Sequence, residues 1–367
     1  MAQVTTVTDS DDDDANLPSR EVCELRCQMF AEVTGTDTAL AMFYLQDRGW
    51  IIERAINDYF ADNGGSSVKS PPAAKSLTVT ASKIPDSGPS AKTPYLTTAP
   101  PVLQPKNDQR IRVLSWNIDG LDPDNLLSRA EGVCSVLLQE DPEVIFIQEA
   151  VSRSLQIIKS RCVGYDVFLG AEKELIVPGA YFTAMLVRKD CVKVESTKLT
   201  SFPTSVMERT LLEVKCRLKN IPVTFLTSHL ESTGEHSRER QKQLKIAFDR
   251  MAAIDAEDTV IFGGDLNLRD KELTGVSAKP PGVYDVWECT GKRPQAAYTW
   301  DLAMNDNKLL HSRAQPRCRF DRLYIRHGRE YRLKPAYFEL VGIQRLSSCQ
   351  RFPSDHWGIL GHFDVIS

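Results

Sequence analysis

The segment 260–270, VIFGGDLNLRD, decides how the C-terminal two-thirds of this chain folds. Three β-prone residues lead into two glycines and then into the polar residues Asp265 and Asn267. Paired glycines before an acid let the backbone approach a neighbouring segment closely. We therefore expect a strand that ends in a bent loop, with a carboxylate and an amide held at the edge of a rigid sheet.

Four further segments place polar residues after a β-prone run or near the end of the chain. They read SWNIDG at 115–120, QE at 148–149, SHLEST at 228–233 and PSDHWG at 353–358. Each is weak alone, because Asn-x-Asp is usually a turn and Gln-Glu or Asp-His is usually surface. Together with 260–270 they indicate one shared site. Its expected members are Asn117, Glu149, His229, Asp265, Asn267 and His356.

Composition divides the 367 residues into four parts. Residues 1–18 have the acidic, weakly apolar character of a disordered tail. Residues 19–62 carry apolar side chains at helical spacing and predict a small three-helix bundle. Residues 63–108 are rich in Pro, Gly, Ser, Lys and Thr and predict a flexible linker. Residues 109–367 are expected to form the catalytic domain.

Short β-prone runs recur along the catalytic domain, whereas helical patterns fall only near 125–139 and 238–253. This spacing predicts an α/β fold in which two sheets pack face to face and are flanked by helices, rather than one parallel sheet. The runs lie at 111–115, 144–147, 165–169, 182–187, 211–216, 223–227, 260–262, 322–325 and 359–363.

The overall composition is that of an ordinary soluble protein, with 42% apolar and 26% charged residues and a net charge of −4. Because there is no global basic field, a nucleic-acid site has to be local. The nine cysteines are scattered and form no Cys-x-x-Cys pair, so we expect reduced thiols. No targeting leader or apolar run of about 18 residues is seen, so we expect no membrane partner and a cytosolic or nuclear location.

The polar set suits hydrolysis of a phosphate ester at a hard metal ion. Asp119 and Glu149 offer the oxygen ligands that Mg²⁺ prefers, while water and phosphate complete its shell. Asp265, positioned by Asn267, can orient a water molecule and accept its proton.

The two histidines, His229 and His356, can donate hydrogen bonds to the phosphoryl oxygens as charge develops on them. A histidine in this role needs an acid that orients its ring. Asp355 is adjacent in sequence but is expected to point elsewhere, so Asp321, within RFDR at 319–322, is the preferred partner.

These motifs resemble the endonuclease/exonuclease/phosphatase superfamily, and most closely its 5′-tyrosyl-DNA phosphodiesterases. The resemblance covers essentially all of residues 109–367 and implies the two-sheet sandwich. It implies a DNA repair hydrolase that frees a DNA 5′-phosphate from the tyrosine of a trapped topoisomerase II. It also implies Mg²⁺, replaceable by Mn²⁺, and a nuclear location with a cytoplasmic pool. The motifs are SWNIDGL at 115–121, TSHLEST at 227–233, FGGDLNLRD at 262–270, YTWD at 298–301 and RFPSDHWG at 351–358.

The segment 49–60, GWIIERAINDYF, resembles the last helix of a ubiquitin-associated domain. This resemblance implies that residues 19–62 bind ubiquitin. A generic protein-interaction module is the alternative for the same bundle.

The superfamily resemblance also implies a DNA-binding set. Trp300 and Phe320 are expected to stack on terminal bases, although Trp300 could instead belong to the core. Arg209 and Arg269 are expected to pair with phosphates. The full set is Asn117, Gly120, Leu121, Tyr181, Arg209, His229, Ser232, Thr233, Asn267, Arg269, Trp300, Phe320 and His356. Two departures from the family pattern are Gly234, where a basic residue is expected, and a longer segment at 171–178.

Two other functions fit parts of the sequence. An abasic-site endonuclease or a phosphoinositide phosphatase would share the metal and water machinery, but no extended basic surface for an intact duplex is evident. A ubiquitin-binding adaptor with a non-catalytic C-terminal domain is the second alternative, and retention of every candidate catalytic group disfavours it.

Overall fold

The computed structural model describes residues 20–34, 36, 38–46, 48, 50–63, 109–171, 180–274, 278–308 and 315–366. The predicted acidic tail, almost all of the predicted linker and most of the segment 171–178 lie outside these residues. None of the described helices combines the length and apolar character that a membrane span requires.

The N-terminal part is a bundle of three helices, α1 (Arg20–Thr34), α2 (Thr38–Gln46) and α3 (Ile52–Asn63). Apolar residues from all three helices and from the α2–α3 connection close a small core that includes Phe30, Leu45, Trp50 and Ile56. A bundle of this size is at the lower limit of independent stability.

Two six-stranded sheets form the C-terminal part. The first sheet has the order β13-β14-β1-β2-β4-β3 and the second has the order β5-β6-β7-β8-β12-β9. The strands are β1 (Arg110–Asn117), β2 (Val144–Val151), β3 (Tyr165–Leu169), β4 (Tyr181–Arg188), β5 (Val192–Ser201), β6 (Thr210–Leu218), β7 (Ile221–Thr227), β8 (Thr259–Asp265), β9 (Val283–Asp285), β12 (Asp321–Arg326), β13 (Leu333–Val341) and β14 (Gly358–Val365). The short strands β10 (Trp300–Asp301) and β11 (Arg317–Cys318) pair with each other.

Side chains from the inner faces of both sheets interlock as one core, in which Phe146 of β2 meets Phe225 of β7 at a ring-centroid distance of 6.2 Å. Helices α4 (Leu126–Glu140) and α5 (Ser152–Arg161) cover the outer face of the first sheet. Helix α6 (Ser237–Ala253) covers the outer face of the second, and the short α7 (Val286–Cys289) packs at the central core. The predicted sandwich flanked by helices is thereby confirmed.

Each sheet contains one parallel pair, β1 with β2 and β7 with β8. Parallel neighbours need a long crossover, and here α4 and α6 supply it. The carboxyl ends of β1 and β2 consequently lie at the same end of the first sheet, and those of β7 and β8 lie at the same end of the second sheet. The candidate site is found at these strand ends.

All nine predicted β-prone runs are strands; 165–169 matches its strand, and the other eight are extended by two to four residues. The sequence missed the long strands β5 and β13, the short β9, β10 and β11, and the helices α5 and α7.

Candidate active site

The site lies in the gap between the two sheets. Asn117 is the last residue of β1 and Asp265 is the last residue of β8. Their side chains meet across the gap, where Asn117 Nδ2 donates to Asp265 Oδ2 at 3.0 Å. We expected the polar groups just beyond the strands, but ladder pairing continues through both residues, opposite Gln148 and Asp321 respectively.

The backbone around the site is strained at four of the predicted positions. Asp119, Glu149, Thr233 and Asn267 have positive φ angles of 50°, 54°, 66° and 49°, a region that residues other than glycine seldom adopt. Such strain persists only where surrounding structure imposes it, and it concentrates at active sites. Glu149 reaches this conformation at an irregularity in the pairing of β2 with β4.

Two glycines allow the close approaches that the site requires. Gly264 has φ +149°, and a Cβ there would collide with the carbonyl oxygen of Ser228. Gly120 packs in the same way against the carbonyl oxygen of Glu149. Gly120 therefore shapes the metal side of the site through its backbone.

Asp265 is the centre of the polar network. Its Oδ1 accepts a hydrogen bond from the Asn267 backbone N–H at 3.0 Å, and its Oδ2 accepts the bond from Asn117. The Nε2 atoms of His229 and His356 lie 3.4 Å and 3.8 Å from the same Oδ2. The carboxylate is 1% exposed, so its orientation is fixed by these partners.

His356 forms a buried pair with Asp321, whose Oδ2 lies 2.9 Å from His356 Nδ1. Burial disfavours the charged ring, but the carboxylates of Asp321, Asp265 and Asp355 outweigh it and hold the pKa of His356 well above its usual value. The ring is therefore protonated at neutral pH, and its Nε2–H points at the centre of the site. Asp355 Oδ2 accepts a hydrogen bond from Trp300 Nε1 at 3.2 Å.

His229, in contrast to His356, is neutral. Burial, followed by the Arg209 guanidinium, lowers the pKa of His229 to about 3, so the ring is neutral at pH 7. Arg209 Nη1 lies 3.2 Å from His229 Nδ1. Because arginine can only donate, we assign Nδ1 as the acceptor and Nε2 as the atom that carries the proton. The two histidines thus offer one neutral and one cationic donor.

The predicted metal ligands Glu149 and Asp119 are close enough to repel each other. Burial and then the Asp119 carboxylate raise the pKa of Glu149 to about 8. Burial and then the Asp355 carboxylate raise the pKa of Asp119 to about 7. Two buried hard carboxylates whose ionised forms are disfavoured by burial and by neighbouring carboxylates fit a site for a divalent cation.

Among the described residues, one cluster of three acids and histidines has metal-compatible spacing: Asp265, Asp321 and His356. The hydrogen-bond pattern explains this cluster without a metal, since the protonated ring of His356 lies between the two carboxylates. The chemistry of the donors therefore favours the pair Glu149 and Asp119 as the candidate ligands of a divalent metal ion.

Arg209, predicted to pair with a phosphate, lines the cavity and makes several contacts within the protein. Besides His229, it donates to Ser232 Oγ at 3.2 Å, and its guanidinium lies 5.1 Å from the centre of the Tyr181 ring. Ser232 Oγ also accepts from Asn267 Nδ2 at 3.3 Å. Thr233 is fully buried, and its hydroxyl has no hydrogen-bond partner in the described part of the chain.

The predicted stacking residues lie together but are largely covered. Trp300 and Phe320 have ring centroids 5.6 Å apart and are 6% and 1% exposed. The guanidinium of Arg269 lies 5.2 Å from the centre of the Phe320 ring. Phe320 accordingly offers no open face here, and of this pair only Trp300 lines the cavity.

Helix α1 covers the site, which sequence reasoning did not foresee. The cavity of about 320 Å³ is lined both by catalytic-domain residues and by side chains of the bundle, including Met29 and Glu32. Val33 packs against the cluster of Trp300, Leu302 and Phe320. At the start of α2, the backbone N–H and hydroxyl of Thr38 both donate to Glu235 Oε2, at 2.9 Å and 3.1 Å.

Glu32 is the acidic residue that the bundle contributes to the site. Burial holds its pKa above the usual value, and its charged neighbours are Arg269, Asp265 and His356. Leu121 and Tyr181, both predicted to contact DNA, line the same cavity.

Sequence reasoning also missed the cations on the metal side of the site. Lys308 Nζ lies 3.0 Å from Asp119 Oδ1, and Arg129 Nη1 lies 3.5 Å from Asp119 Oδ2. Arg351 pairs with Asp122 at 2.7 Å. Only the RFPSDHWG motif gave a signal for any of them, because Arg351 begins it.

Comparison with known proteins agrees with this geometry. Residues 114–356 match the model of the Endonuclease/Exonuclease/phosphatase family, and residues 26–66 match that of a UBA-like domain. The chain is 37% identical to tyrosyl-DNA phosphodiesterase 2 of Xenopus laevis over 93% of both chains. It is 38% identical to the Homo sapiens protein of that name over 93% of this chain and 92% of the other.

The chain belongs to the endonuclease/exonuclease/phosphatase family, among the tyrosyl-DNA phosphodiesterase 2 proteins. Two solved structures of such proteins resemble it. That of Danio rerio, complexed with a single-strand DNA product, is 39% identical, with a TM-score of 0.66 over 70% of this chain and all of that one. That of Caenorhabditis elegans is 32% identical, with a TM-score of 0.64 over the full length of both chains. The predicted resemblance and hydrolase class are confirmed.

Proposed function

We propose that this chain hydrolyses the bond between a DNA 5′-phosphate and a tyrosine left by a trapped topoisomerase II, leaving a 5′-phosphate, with Mg²⁺ as the working metal and Mn²⁺ able to replace it. The observation that carries the proposal is the position of one carboxylate, Asp265, close to two histidines, of which His229 is neutral and His356 is cationic. The name shared by the similar proteins supports the choice of a tyrosyl ester.

Asp265 is positioned to act on the attacking water. The Asn267 backbone and the Asn117 side chain occupy one lone pair on each of its oxygens, which fixes the direction of the remaining lone pairs. A water held there can lose its proton to the carboxylate as it attacks phosphorus. Asn117 and Asn267 are therefore positioning residues for this step.

The two histidines are positioned to stabilise the charge that develops on the phosphoryl oxygens. The Nε2 atoms of the cationic His356 and the neutral His229 lie 3.8 Å and 3.4 Å from the same atom, Asp265 Oδ2, so a phosphoryl oxygen bound beside that atom would lie within reach of both. Donors held in place before the reaction cost no reorganisation in the transition state. Asp321 and Arg209 act through them, since each fixes the proton arrangement of one ring.

Glu149 would hold the metal, with Asp119 on the same side, and the bound ion would neutralise phosphate charge. A tyrosyl leaving group departs as a phenolate with a pKa of about 10, so it needs less help from an acid than an alkoxide does. This site can therefore act without a dedicated acid for the leaving group.

The test is cleavage of a 5′-phosphotyrosyl oligonucleotide with Mg²⁺, beside 3′-phosphotyrosyl, abasic-site and inositol-phosphate substrates. We expect strong preference for the first, and a loss of at least about 10²–10⁴-fold in Asp265→Asn. Equal or better turnover of the abasic or inositol substrate would replace the proposal with another phosphodiesterase of the family. Full activity of Asp265→Asn would contradict the role assigned to Asp265, and no turnover of any of these substrates by the wild type would favour the non-catalytic adaptor.

For the bundle we propose ubiquitin binding. The match to a UBA-like domain supports it, as do the large apolar side chains of Leu40, Met42 and Ile51, which remain exposed. Titration of residues 19–62 with labelled ubiquitin should give saturable shifts, and no shift at high concentration would contradict it. We propose a nuclear location with a cytoplasmic pool, since the substrate is found on chromosomal DNA; imaging of the tagged full chain tests this.

A further inference from the structure

A buried carboxylate outside the catalytic set lies directly behind the active-site loop. Glu231 is two positions after His229 and one before Ser232, and both of these residues line the cavity. The side chain of Glu231 is fully buried and accepts four hydrogen bonds. Because a carboxylate has about four acceptor positions, its capacity for hydrogen bonds is used within the protein.

Three of the four donors belong to the turn that leads into β6. Glu231 Oε1 accepts from the backbone N–H groups of Val206 and Met207, at 2.8 Å and 3.0 Å. Glu231 Oε2 accepts from Ser205 Oγ at 2.8 Å. Ser205 Oγ in turn accepts from the Arg209 backbone N–H at 2.8 Å. The carboxylate therefore fixes the turn that presents Arg209.

The fourth donor comes from helix α6. Gln243 Nε2 donates to Glu231 Oε2 at 2.7 Å, and Gln243 Oε1 accepts from the Glu231 backbone N–H at 2.9 Å. Arg240 donates through Nη1 to the backbone carbonyls of Glu231 and Thr233, at 2.7 Å and 2.8 Å. Residues three apart lie on one face of a helix, so α6 holds both the side chain and the backbone of Glu231.

Arg209 connects this network to a catalytic histidine. Its Nη1 donates to His229 Nδ1 at 3.2 Å, which leaves the ring proton on Nε2. We propose that Glu231 is a positioning residue for the reaction, which holds the turn at 205–207 so that Arg209 keeps His229 as an Nε2–H donor. This role rests on the proposed function, since that function assigns the donor to the transition state.

The direction of each hydrogen bond provides a specific test. Glu231→Gln replaces one oxygen by an NH₂ group, which meets a donor whichever way the amide turns: Gln243 Nε2 on one side, the N–H groups of Val206 and Met207 on the other. Turning Gln243 gives no relief, because its Oε1 accepts from the Glu231 backbone. The double variant Glu231→Gln/Gln243→Glu supplies the missing acceptor and keeps the total charge and the side-chain sizes.

The first measurement is steady-state cleavage of a 5′-phosphotyrosyl oligonucleotide with Mg²⁺. Glu231→Gln should lower kcat by about 10- to 10³-fold, up to the effect of losing one oriented donor. KM should change by less than about threefold, because His229 acts on the transition state. The double variant should recover most of the lost kcat. Glu195→Gln, an exposed glutamate on β5, is the matched control and should keep the wild-type kcat.

The second measurement is nuclear magnetic resonance of the full chain without substrate at pH 7. The ¹⁵N chemical shifts of the His229 ring, assigned with His229→Gln, report which nitrogen carries the proton. We expect the Nε2–H tautomer in the wild type, in the double variant and in Glu195→Gln, and a mixture of tautomers in Glu231→Gln.

A wild-type kcat in Glu231→Gln overturns the role of Glu231. A lower kcat with an unchanged His229 ring also overturns it, as does a double variant no better than Glu231→Gln. If Glu231→Gln is not folded by circular dichroism and Tm, Ser205→Ala decides, because it removes only the link to the Arg209 backbone and should shift the same ring resonances; unshifted resonances overturn the role. A wild type that does not cleave the tyrosyl ester contradicts the proposed function, while the resonances still test Glu231.

Discussion

Asp321→Asn tests whether the charge of Asp321, rather than its hydrogen bond, controls His356. The amide keeps an oxygen that can accept from His356 Nδ1–H, so ring orientation is retained while the negative charge is lost. Opposite charges about 4 Å apart at an effective dielectric of about 20 interact by about 4 kcal/mol, or about three pKa units. Because burial also disfavours the charged ring, His356 in the variant should be neutral at pH 7.5.

The expected result is a fall in kcat/KM of about 10²–10⁴-fold at pH 7.5, the range for loss of one oriented donor or acid. The sign of the pH dependence follows from the shift. The folded-state pKa of His356 is raised, so its protonated form persists in the wild type until the pH rises through that pKa. In the variant the protonated form is lost at lower pH. The ratio of variant to wild-type kcat/KM should therefore increase as pH falls from 8 to 5.5.

The assay is steady-state cleavage of a 5′-phosphotyrosyl oligonucleotide across that pH range at saturating Mg²⁺. Taking the ratio cancels titrations that both proteins share, including those of the metal ligands. Asp355→Asn is the matched control, because the Asp355 carboxylate raises the pKa of His356 less than Asp321 does, and its loss should have a smaller effect. A constant ratio, or a loss below threefold, would refute the assigned charge state of His356.

Three further predictions concern the surroundings of the site. Gly264→Ala should lower the free energy of unfolding by at least about 1–3 kcal/mol, because Gly264 has a positive φ and the new Cβ would also collide with a carbonyl oxygen. Gly164→Ala is the control and should not change Tm, because a Cβ there has open space. The rise in Tm caused by Mg²⁺ should grow from pH 6 to 8.5, because Glu149 and Asp119, with pKa values of about 8 and 7, must ionise to bind it. Removal of residues 1–108 should raise kcat/KM, because α1 covers the cavity; an unchanged or lower value contradicts this.

The strands that the sequence predicted are those in which apolar residues dominate. In β8 every residue is buried, so a continuous β-prone run was visible. In β5 most residues are exposed and polar, so neither alternation nor an apolar run marked it. The strand β13 contains Pro335, and proline is unfavourable inside a strand because it cannot donate to the ladder; the pairing is irregular between Pro335 and Tyr337.

The candidate site was predictable as a set of residues but not as a set of contacts. Each polar motif is local, whereas the pairing of Arg209 with His229 and of Lys308 with Asp119 depends on how distant segments meet. Arg209 shows the consequence. The resemblance implied a phosphate ligand, and the structure adds a contact with His229 in which Arg209, after burial, lowers the pKa of the ring.

Register explains why five local motifs can form one site. A slip of one residue in either parallel pair would turn Asn117 or Asp265 to the opposite face of its sheet. The apolar residues before each motif prevent this slip, since Val113 and Ile261 must both face the core between the sheets. The same alternation that buries them then places Asn117 and Asp265, four residues further along each strand, on the inner side. The hydrogen bond between these two residues therefore follows from packing of the core.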